Sequence, residues 1–410
     1  FRRSRGLGDV YKRQILDKRS NYLISGPVIV GNGHHELGSD GNLIDGTPLQ
    51  DVSLTIPEGT KIYAQRSHRL DRSIEPRVSY LQVTRGSKIF AEGTAEEPIV
   101  FTDIGKSYYQ RGEWGGLIIQ GLAGHEDCSA ENSLCNAEYF EEKASDDGSR
   151  RSALGYFGGS TEEDSSGALQ HVVITGAGHA YDYHESNVSY EGRFGSLMLQ
   201  SVGHSTSLSN IQINSSGWGS SAALALSGGS AHIDRLIMSS NERDSLQITG
   251  GYQGGIQRVL IRQDEWGDHK RAAIRVVSES ETRSTVPTIV NATIVAGKSA
   301  PCTDCGGDPE PSEPYIMSVE GGAGGFFHNM IVTVDPNTQE DISACFKVDV
   351  ASQGGLGEAL VINNMIQDCA VEGNGVLVVD DDGAELTDFA NQTVIPLEPT
   401  FRSTLAPSNI

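Results

Sequence analysis

The chain has 410 residues, with 54 Asp and Glu against 31 Lys and Arg, for a formal net charge of −23. Such an acidic surface repels a phosphate backbone, and no basic stripe compensates it, which argues against a nucleic-acid partner. No run of 18 apolar residues occurs, so a membrane-spanning helix is absent from the pattern.

The first residues, FRRSRGLGDVYKRQ, resemble neither the composition nor the pattern of the rest of the chain. They look like translated sequencing-adapter read-through, and residues 1–20 are set outside the fold. Folded structure is expected over 21–400, as one domain from about Tyr22, with 401–410 as a tail. Early in it, GNGHHELGSDGNLIDG offers His34, His35, Glu36, Asp40 and Asp45. These are residue types of a mixed histidine–carboxylate metal site, and equally of a solvated loop.

Three stretches then read as short strands with glycine-bearing corners: LTIPEGTKIYA from Leu54, YLQVTRGSKIFAEGTAEEPIVFT from Tyr80 and EWGGLIIQG from Glu113. None has helical spacing. Long inserted loops follow at about 122–165, 176–192 and 296–314. The second holds GHAYDYHESNVSYEG, with His179, Asp182, His184 and Glu185 as weak metal or catalytic residues on a protruding surface loop.

From Leu169 onward a pattern recurs: apolar, any, His/Asn/Arg, apolar, any, apolar. It appears as LQHVVI (Leu169), LSNIQI (Leu208), IDRLIM (Ile233), IQRVLI (Ile256), IVNATI (Ile289), FHNMIV (Phe327) and, blurred, INNMIQ (Ile362). The shortest intervals lie near 24 residues, and the longer ones contain loop material. Between copies lies a second apolar run: SLML, AALAL, SLQI, AAIRVV, YIMSV, CFKVDV and GVLVV. Glycine-rich punctuation such as SGGS, TGGYQGG and EGGAGG follows many of these runs. The unit is strand, polar turn, strand, glycine corner. A leucine-rich repeat would show its fixed Leu/Asn ladder, and a sandwich would not repeat one strand at a fixed period. The predicted fold is all-β: a right-handed parallel β-helix, whose coils stack about 4.8 Å apart and bury their apolar faces only by stacking.

Six cysteines fall in local pairs: Cys128 with Cys135, Cys302 with Cys305, and Cys345 with Cys369. An even number suits disulfides in an exported protein, though sequence leaves 15 pairings open. Zinc at Cys302 and Cys305 would need a second C-x-x-C or a His pair, and neither is nearby. Cys345 and Cys369 are 24 residues apart, about one coil, so a bridge between successive coils is expected.

The order of the motifs at Leu54, Tyr80 and Glu113, followed by YFGGSTEEDSSGALQHVVI from Tyr156, resembles a broad group of exported bacterial β-helix proteins of pectate-lyase-like architecture. The resemblance covers roughly Leu54 to Ile174. It implies an extracellular or outer-surface protein and little about chemistry. Many of those proteins carry paired Asp residues before the middle strands. This chain departs from that pattern: it reads SSGWGSSAALALSGG and SSNERDSLQITGG, keeping only Glu242 and Asp244 in the second.

Stacking aligns the turns along one flank. The turns after the recurring strand would bring together Trp218, Glu242, Arg243, Asp244, Asp264, Glu265, Trp266, Asp268, His269, Lys270 and Arg271. Flat rings with charges between them suit a sugar chain, so Trp218, Glu242, Arg243, Trp266 and His269 are the expected ligand-binding residues. Asp244, Asp268, Lys270 and Arg271 are the weak catalytic candidates: a lyase needs a cation or metal and a base, which Asp264, Asp268, Lys270 and Arg271 could supply, and Glu242 or Asp244 with Asp268 could pair as carboxylates. A hydrolase instead needs two facing carboxylates. Water-facing turns of ordinary Asp, Asn, Ser and Gly remain the plainer reading. Asp380, Asp381, Asp382, Glu385 and Asp388 form an oxygen-rich cluster, with Asp380, Asp382 and Glu385 as calcium ligands, although the spacing departs from D-x-D-x-D-G. The expected function is glycan or matrix binding without catalysis; the alternative is a polysaccharide lyase or glycoside hydrolase acting on acidic polysaccharide.

Overall fold

A strand of alternating Ile, Val and Leu can bury one face only against a copy of itself. The computed structural model has that arrangement. It describes residues 13–66, 78–105, 111–128, 135–138, 154–185, 188–217, 222–241, 244–263, 272–278, 280, 283–297, 315–334, 344–349, 360–368, 378–379 and 394–396. Of 138, 180–185, 188–193, 344, 368, 378–379 and 394–396 only the backbone is described. Parallel strands wind into a right-handed β-helix with a 14-stranded sheet and a 10-stranded sheet. No helix among the described residues is long and apolar enough to cross a membrane.

The recurring strand builds the larger sheet as Gly167–Thr175, Ser207–Asn214, His232–Ser239, Gly255–Arg262, Thr288–Ala296, Gly325–Val334 and Leu360–Asp368. Leu169, Leu208, Ile233, Ile256, Ile289, Phe327 and Ile362 stack in register, as the sequence pattern aligned them. The second apolar run builds the smaller sheet, including Leu197–Gln200, Ala222–Ser227, Asp244–Thr249, Ile274–Val277, Tyr315–Glu320 and Ala344–Val348. Between the sheets lies one continuous apolar core, in which Phe327 meets Phe346 edge-on at 5.4 Å.

The third position of the motif has a backbone cause. His171, Asn210, Arg235, Arg258, Asn291, Asn329 and Asn364 all adopt positive φ, between 47° and 61°. One left-handed residue bends each strand at the same height, and Asn tolerates that region better than most residues. In an earlier coil the same corner separates two strands, Lys88–Glu92 and Ile99–Asp103, both of which pair with Gly167–Thr175.

Two expectations need correction. Arg13–Ile15 pairs in parallel with Ser53–Ile56, so the solenoid begins inside the segment set aside at 1–20. Pairing uses backbone groups, and all three of these side chains are exposed, so the side-chain pattern carries no signal there. The coil length past residue 340 also differs. Phe346 pairs with Val378, which makes that coil longer than 24 residues. Cys345 lies in the smaller sheet, whereas Cys369 follows the larger-sheet strand that ends at Asp368. Cys345 is disulfide-bonded, and Cys302, Cys305 and Cys369 lie outside the described residues. Cys128 and Cys135 are bonded to each other, with Cα atoms 5.1 Å apart.

Arg85 fastens the first coils. Its side chain is fully buried, and its guanidinium donates to the carbonyls of Gly33 (2.7 Å), Cys135 (2.6 Å), Gly158 (3.0 Å) and His35 (2.9 Å) and to Asn136 Oδ1 (2.7 Å). The acceptors come from the loop after Pro27–Val30 and from the disulfide loop after Gly116–Gln120. Burial lowers its pKa to about 10, so it stays charged at neutral pH.

His34, beside it, supplies a pH signature. Burial first, then the charges of His35 and Arg85, lower its pKa from 6.5 to about 4. The unfolded chain takes up this proton below about 6.5, while the folded chain resists until about 4. Its contribution to stability is therefore full above pH 6.5 and is lost as pH falls toward 4. After allowance for partial exposure this is worth on the order of 1–2 kcal/mol. His34→Asn is expected to flatten the denaturation midpoint between those pH values; an unchanged slope would rule out His34 as its source.

Candidate functional site

Register fixes where the flank turns leave the larger sheet. Asn214, Ser239, Arg262, Val295 and Thr333 stand in one column. The turns therefore start from aligned points, as stacking predicts. Trp218, Glu242, Arg243, Asp264, Glu265, Trp266, Asp268, His269, Lys270 and Arg271 lie outside the described residues, as do Asp380, Asp382 and Glu385. Asp244 is described and is not the open carboxylate expected of it: it is 2% exposed and begins the strand Asp244–Thr249. Beside it runs a buried polar column. Ser196 donates to Ser216 Oγ at 2.9 Å, Ser216 N–H to Asn241 Oδ1 at 3.3 Å, and Asn241 Nδ2 to Ser245 Oγ at 3.4 Å. Positive φ at Ser215 and Ser240 makes the corner that sets this column.

The outer face of the smaller sheet divides in two. Over the first coils it is closed by an apolar cluster of Tyr80, Ile118, Met198 and Ala225 with Leu154 and Phe194. Further along, the column of Met198 and Ala225 turns polar: Gln247, Arg275, Ser318 and Lys347 align, and Val277 stands in register with Glu320. Arg275 forks onto Glu320 across the coil boundary, with Nη2 to Oε2 at 2.8 Å and Nε to Oε1 at 3.2 Å. Burial pushes the Glu320 carboxyl up, but the hydrogen bonds and charge of Arg275, with Lys347, outweigh it and leave the pKa lowered. Lys347 Nζ stands 5.4 Å from the centre of the Tyr315 ring. This is a surface of fixed donors and acceptors beside an aromatic ring. These residues are strand positions, so a search of the turns misses them. The signal that could find them is the polar residue inside AAIRVV, YIMSVE and CFKVDV.

On the opposite corner, three groups stand in series. Asp127 Oδ2 lies 3.3 Å from His125 Nδ1, and His125 Nε2 lies 3.1 Å from Ser227 Oγ. The hydrogen bond from His125 holds the Asp127 carboxyl below its ordinary range. The order matches an acyl-transfer relay, but the surroundings do not. Ser227 is 4% exposed, and Nδ1 also faces the N–H of Asp127 at 3.2 Å. The neighbouring N–H groups of Gly228 and Gly229 are committed to Thr249 O and Gly124 O, so neither can serve an oxyanion. The His125 ring instead plugs a notch: a Cβ at Gly250 would stand 2.4 Å from its Nε2.

The early loop uses its acids on turns. Asp40 accepts from Asn42 N–H at 3.0 Å and Asn42 Nδ2 at 2.8 Å, and Asp45 accepts from Thr47 N–H at 2.8 Å. Rings of His34 and His35 lie 4.1 Å apart. Among the described residues no three His, Cys, Asp or Glu side chains gather in a metal-holding group. The second inserted loop forms an antiparallel hairpin, Ala180–Glu185 with Val188–Arg193, on the flank side. His179 Nδ1 at its base bonds the carbonyl of Gly112 at 2.6 Å. The side chains of Asp182, His184 and Glu185 are outside the described set.

A family model described as a pectate-lyase like beta helix domain matches residues 8–353. No curated protein and no solved structure matches the chain.

Proposed function

The chain belongs to the pectate-lyase-like β-helix family, and from that premise we propose that it is an exported or cell-surface protein that binds a polysaccharide along the outer face of the smaller sheet without cleaving it. The observation that carries this reading is the polar column in which Gln247, Arg275 and Lys347 are part-exposed, with Ser318 buried between the last two, beside Tyr315. A sugar chain presents hydroxyls at a regular rise and apolar faces to stack on a ring, and this surface presents both kinds of partner. Arg275 is held bidentately by Glu320, which suits a fixed hydrogen-bonding group better than a base that must accept a proton. The Cys128–Cys135 disulfide fits an oxidising compartment.

The second reading is a lyase or hydrolase for acidic polysaccharide. It is favoured by the aligned origins of the turns that contain Asp264, Asp268, Lys270 and Arg271. A glycan array with the whole chain, followed by calorimetry on the hits, separates the two. Binding with no release of unsaturated or reducing ends is expected, and Arg275→Ala is expected to weaken it at least tenfold. Product release by the wild type, abolished by Lys270→Ala or Arg271→Ala, would overturn the non-catalytic reading.

A further inference from the structure

The Cys128–Cys135 disulfide and the buried Arg85 guanidinium meet at one corner of the first coils. Cys135 gives its carbonyl to Arg85 Nη1 at 2.6 Å. In the next residue, Asn136 Oδ1 accepts from Arg85 Nη2 at 2.7 Å and from the N–H of Leu37 at 2.9 Å, and Nδ2 donates to the Leu37 carbonyl at 3.0 Å. One side chain thus pairs with Leu37 as the backbone of a neighbouring strand would, and Leu37 belongs to the early loop of residues 31–50. Gly158 touches both features. Its carbonyl takes Arg85 Nη1 at 3.0 Å, and a Cβ there would lie 3.4 Å from Cys135 Sγ and 3.6 Å from Cys128 Sγ. The bond therefore lies against the groups that receive the guanidinium.

The bond is also separate from the core of the solenoid. Cys135 packs with Ala137 and Phe157 in a small cluster of its own, with Cys128 against it, apart from the main core between the sheets. Cys135 is 5% exposed and Cys128 is half-buried, so a thiol from solvent meets Cys128 first. Once the bond is broken, Cys135 and Asn136 are no longer tied to Cys128, and two of the five hydrogen bonds of Arg85 rest on them. A buried guanidinium that loses acceptors is costly. The loss therefore passes to its bonds with the carbonyls of Gly33 and His35 in the early loop.

We propose that Cys128–Cys135 is a redox latch that acts through Arg85 on the early loop. Oxidised, it fixes Cys135 and Asn136 where Arg85 and Leu37 need them, and residues 31–50 are held against the solenoid. Reduced by a dithiol, it releases that loop while the coils stay stacked. One thiolate of the dithiol attacks Cys128 Sγ; the S–S bond breaks, and Cys135 leaves as a thiolate that takes up a proton. The second thiolate attacks the mixed disulfide, closes the reductant into a cyclic disulfide and releases Cys128, which is protonated in turn. Two electrons and two protons pass from the dithiol to the protein. The latch is independent of the glycan-binding reading.

The test compares the whole chain oxidised, reduced with dithiothreitol, and as the pair Cys128→Ser with Cys135→Ser, which leaves the bond at Cys345 in place. Two signals are read: cleavage beside Glu36, Asp40 or Asp45 by an acid-directed protease, and the titration of His34 in histidine-labelled protein. Loss of the bond is expected to speed that cleavage about tenfold or more. It is also expected to move the His34 midpoint up from about 4 toward 6.5, as burial and the charges of His35 and Arg85 are relieved. In Arg85→Met the loop has already lost the guanidinium, so the serine pair is expected to add less than about threefold there. If the serine pair fails to fold, reduction of the folded wild type, with alkylation mapped to Cys128 and Cys135, carries the result. Unchanged cleavage and an unmoved His34 once both thiols are free overturn the latch. A collapse of the far-ultraviolet β signal also overturns it, since the bond would then staple the whole solenoid. An equal acceleration in Arg85→Met overturns it as well, since the bond would then act without the guanidinium.

Discussion

Arg85→Met is expected to lower stability by on the order of 3–5 kcal/mol, more than any surface substitution in the chain. Five hydrogen bonds leave this one buried guanidinium, all to neutral acceptors. The methionine can fill the volume but removes the guanidinium donor from four carbonyls, while Asn136 Oδ1 keeps only the Leu37 N–H. The acceptors belong to loops that follow strands of the smaller sheet, so the loss falls on the attachment of those loops to the solenoid. Arg85→Lys is expected to recover less than half of it, because an ammonium cannot reproduce the planar fork. Urea denaturation with limited proteolysis checks both effects. A midpoint unchanged in Arg85→Met, with no new cleavage between residues 31 and 50, would show that the guanidinium does not hold the cap.

Arg85 also shows where sequence reasoning stops. Within YLQVTRGSKIFAEG it reads as a turn residue beside a glycine, the usual place for a solvated charge. Nothing local says that loops some fifty residues away in both directions converge on it. By contrast the stacking order is legible, because it is a local pattern repeated: Leu169, Leu208, Ile233, Ile256, Ile289, Phe327 and Ile362 fall in register. The same motif displays His171, Asn210, Arg235 and their successors at one position, but the common property of these unlike side chains is a backbone angle, which the letters do not display.

The candidate site is legible in part for the same reason. Register aligns the strand ends from which the flank turns depart, and that alignment follows from the repeat. Polar residues on the smaller sheet are hidden because Arg275, Glu320 and Lys347 sit inside or beside apolar runs and read as strand filler. Asp244 misleads in the opposite sense. An acid next to a turn suggests exposure, yet strand pairing with the Ala222–Ser227 strand draws it into the wall. The acids of the early loop follow ordinary turn chemistry, as Asp40 with Asn42 illustrates.

Gly167→Ala is expected to be the most damaging single-methyl change, costing about 4 kcal/mol or more and in practice preventing the early coils from stacking. Gly167 has φ +105° and lies in register with Ile89. A Cβ there would stand 1.9 Å from the carbonyl oxygen of Ile89 and 2.8 Å from its carbonyl carbon. Those atoms are backbone of the neighbouring coil and cannot rotate away, so the two strands must separate. Separation would break the hydrogen bonds joining Lys88–Glu92 to Gly167–Thr175, and with them the seal over Ile89 and Leu169 in the core. Gly26→Ala provides the comparison. Gly26 also has positive φ, +76°, but a Cβ there meets nothing within 4 Å. It should cost only the left-handed strain of an alanine, about 1 kcal/mol. Urea midpoints of the two variants separate collision from strain. Equal losses would mean that the collision at Ile89 is relieved at little cost, and that the contact between these coils is looser than its register implies.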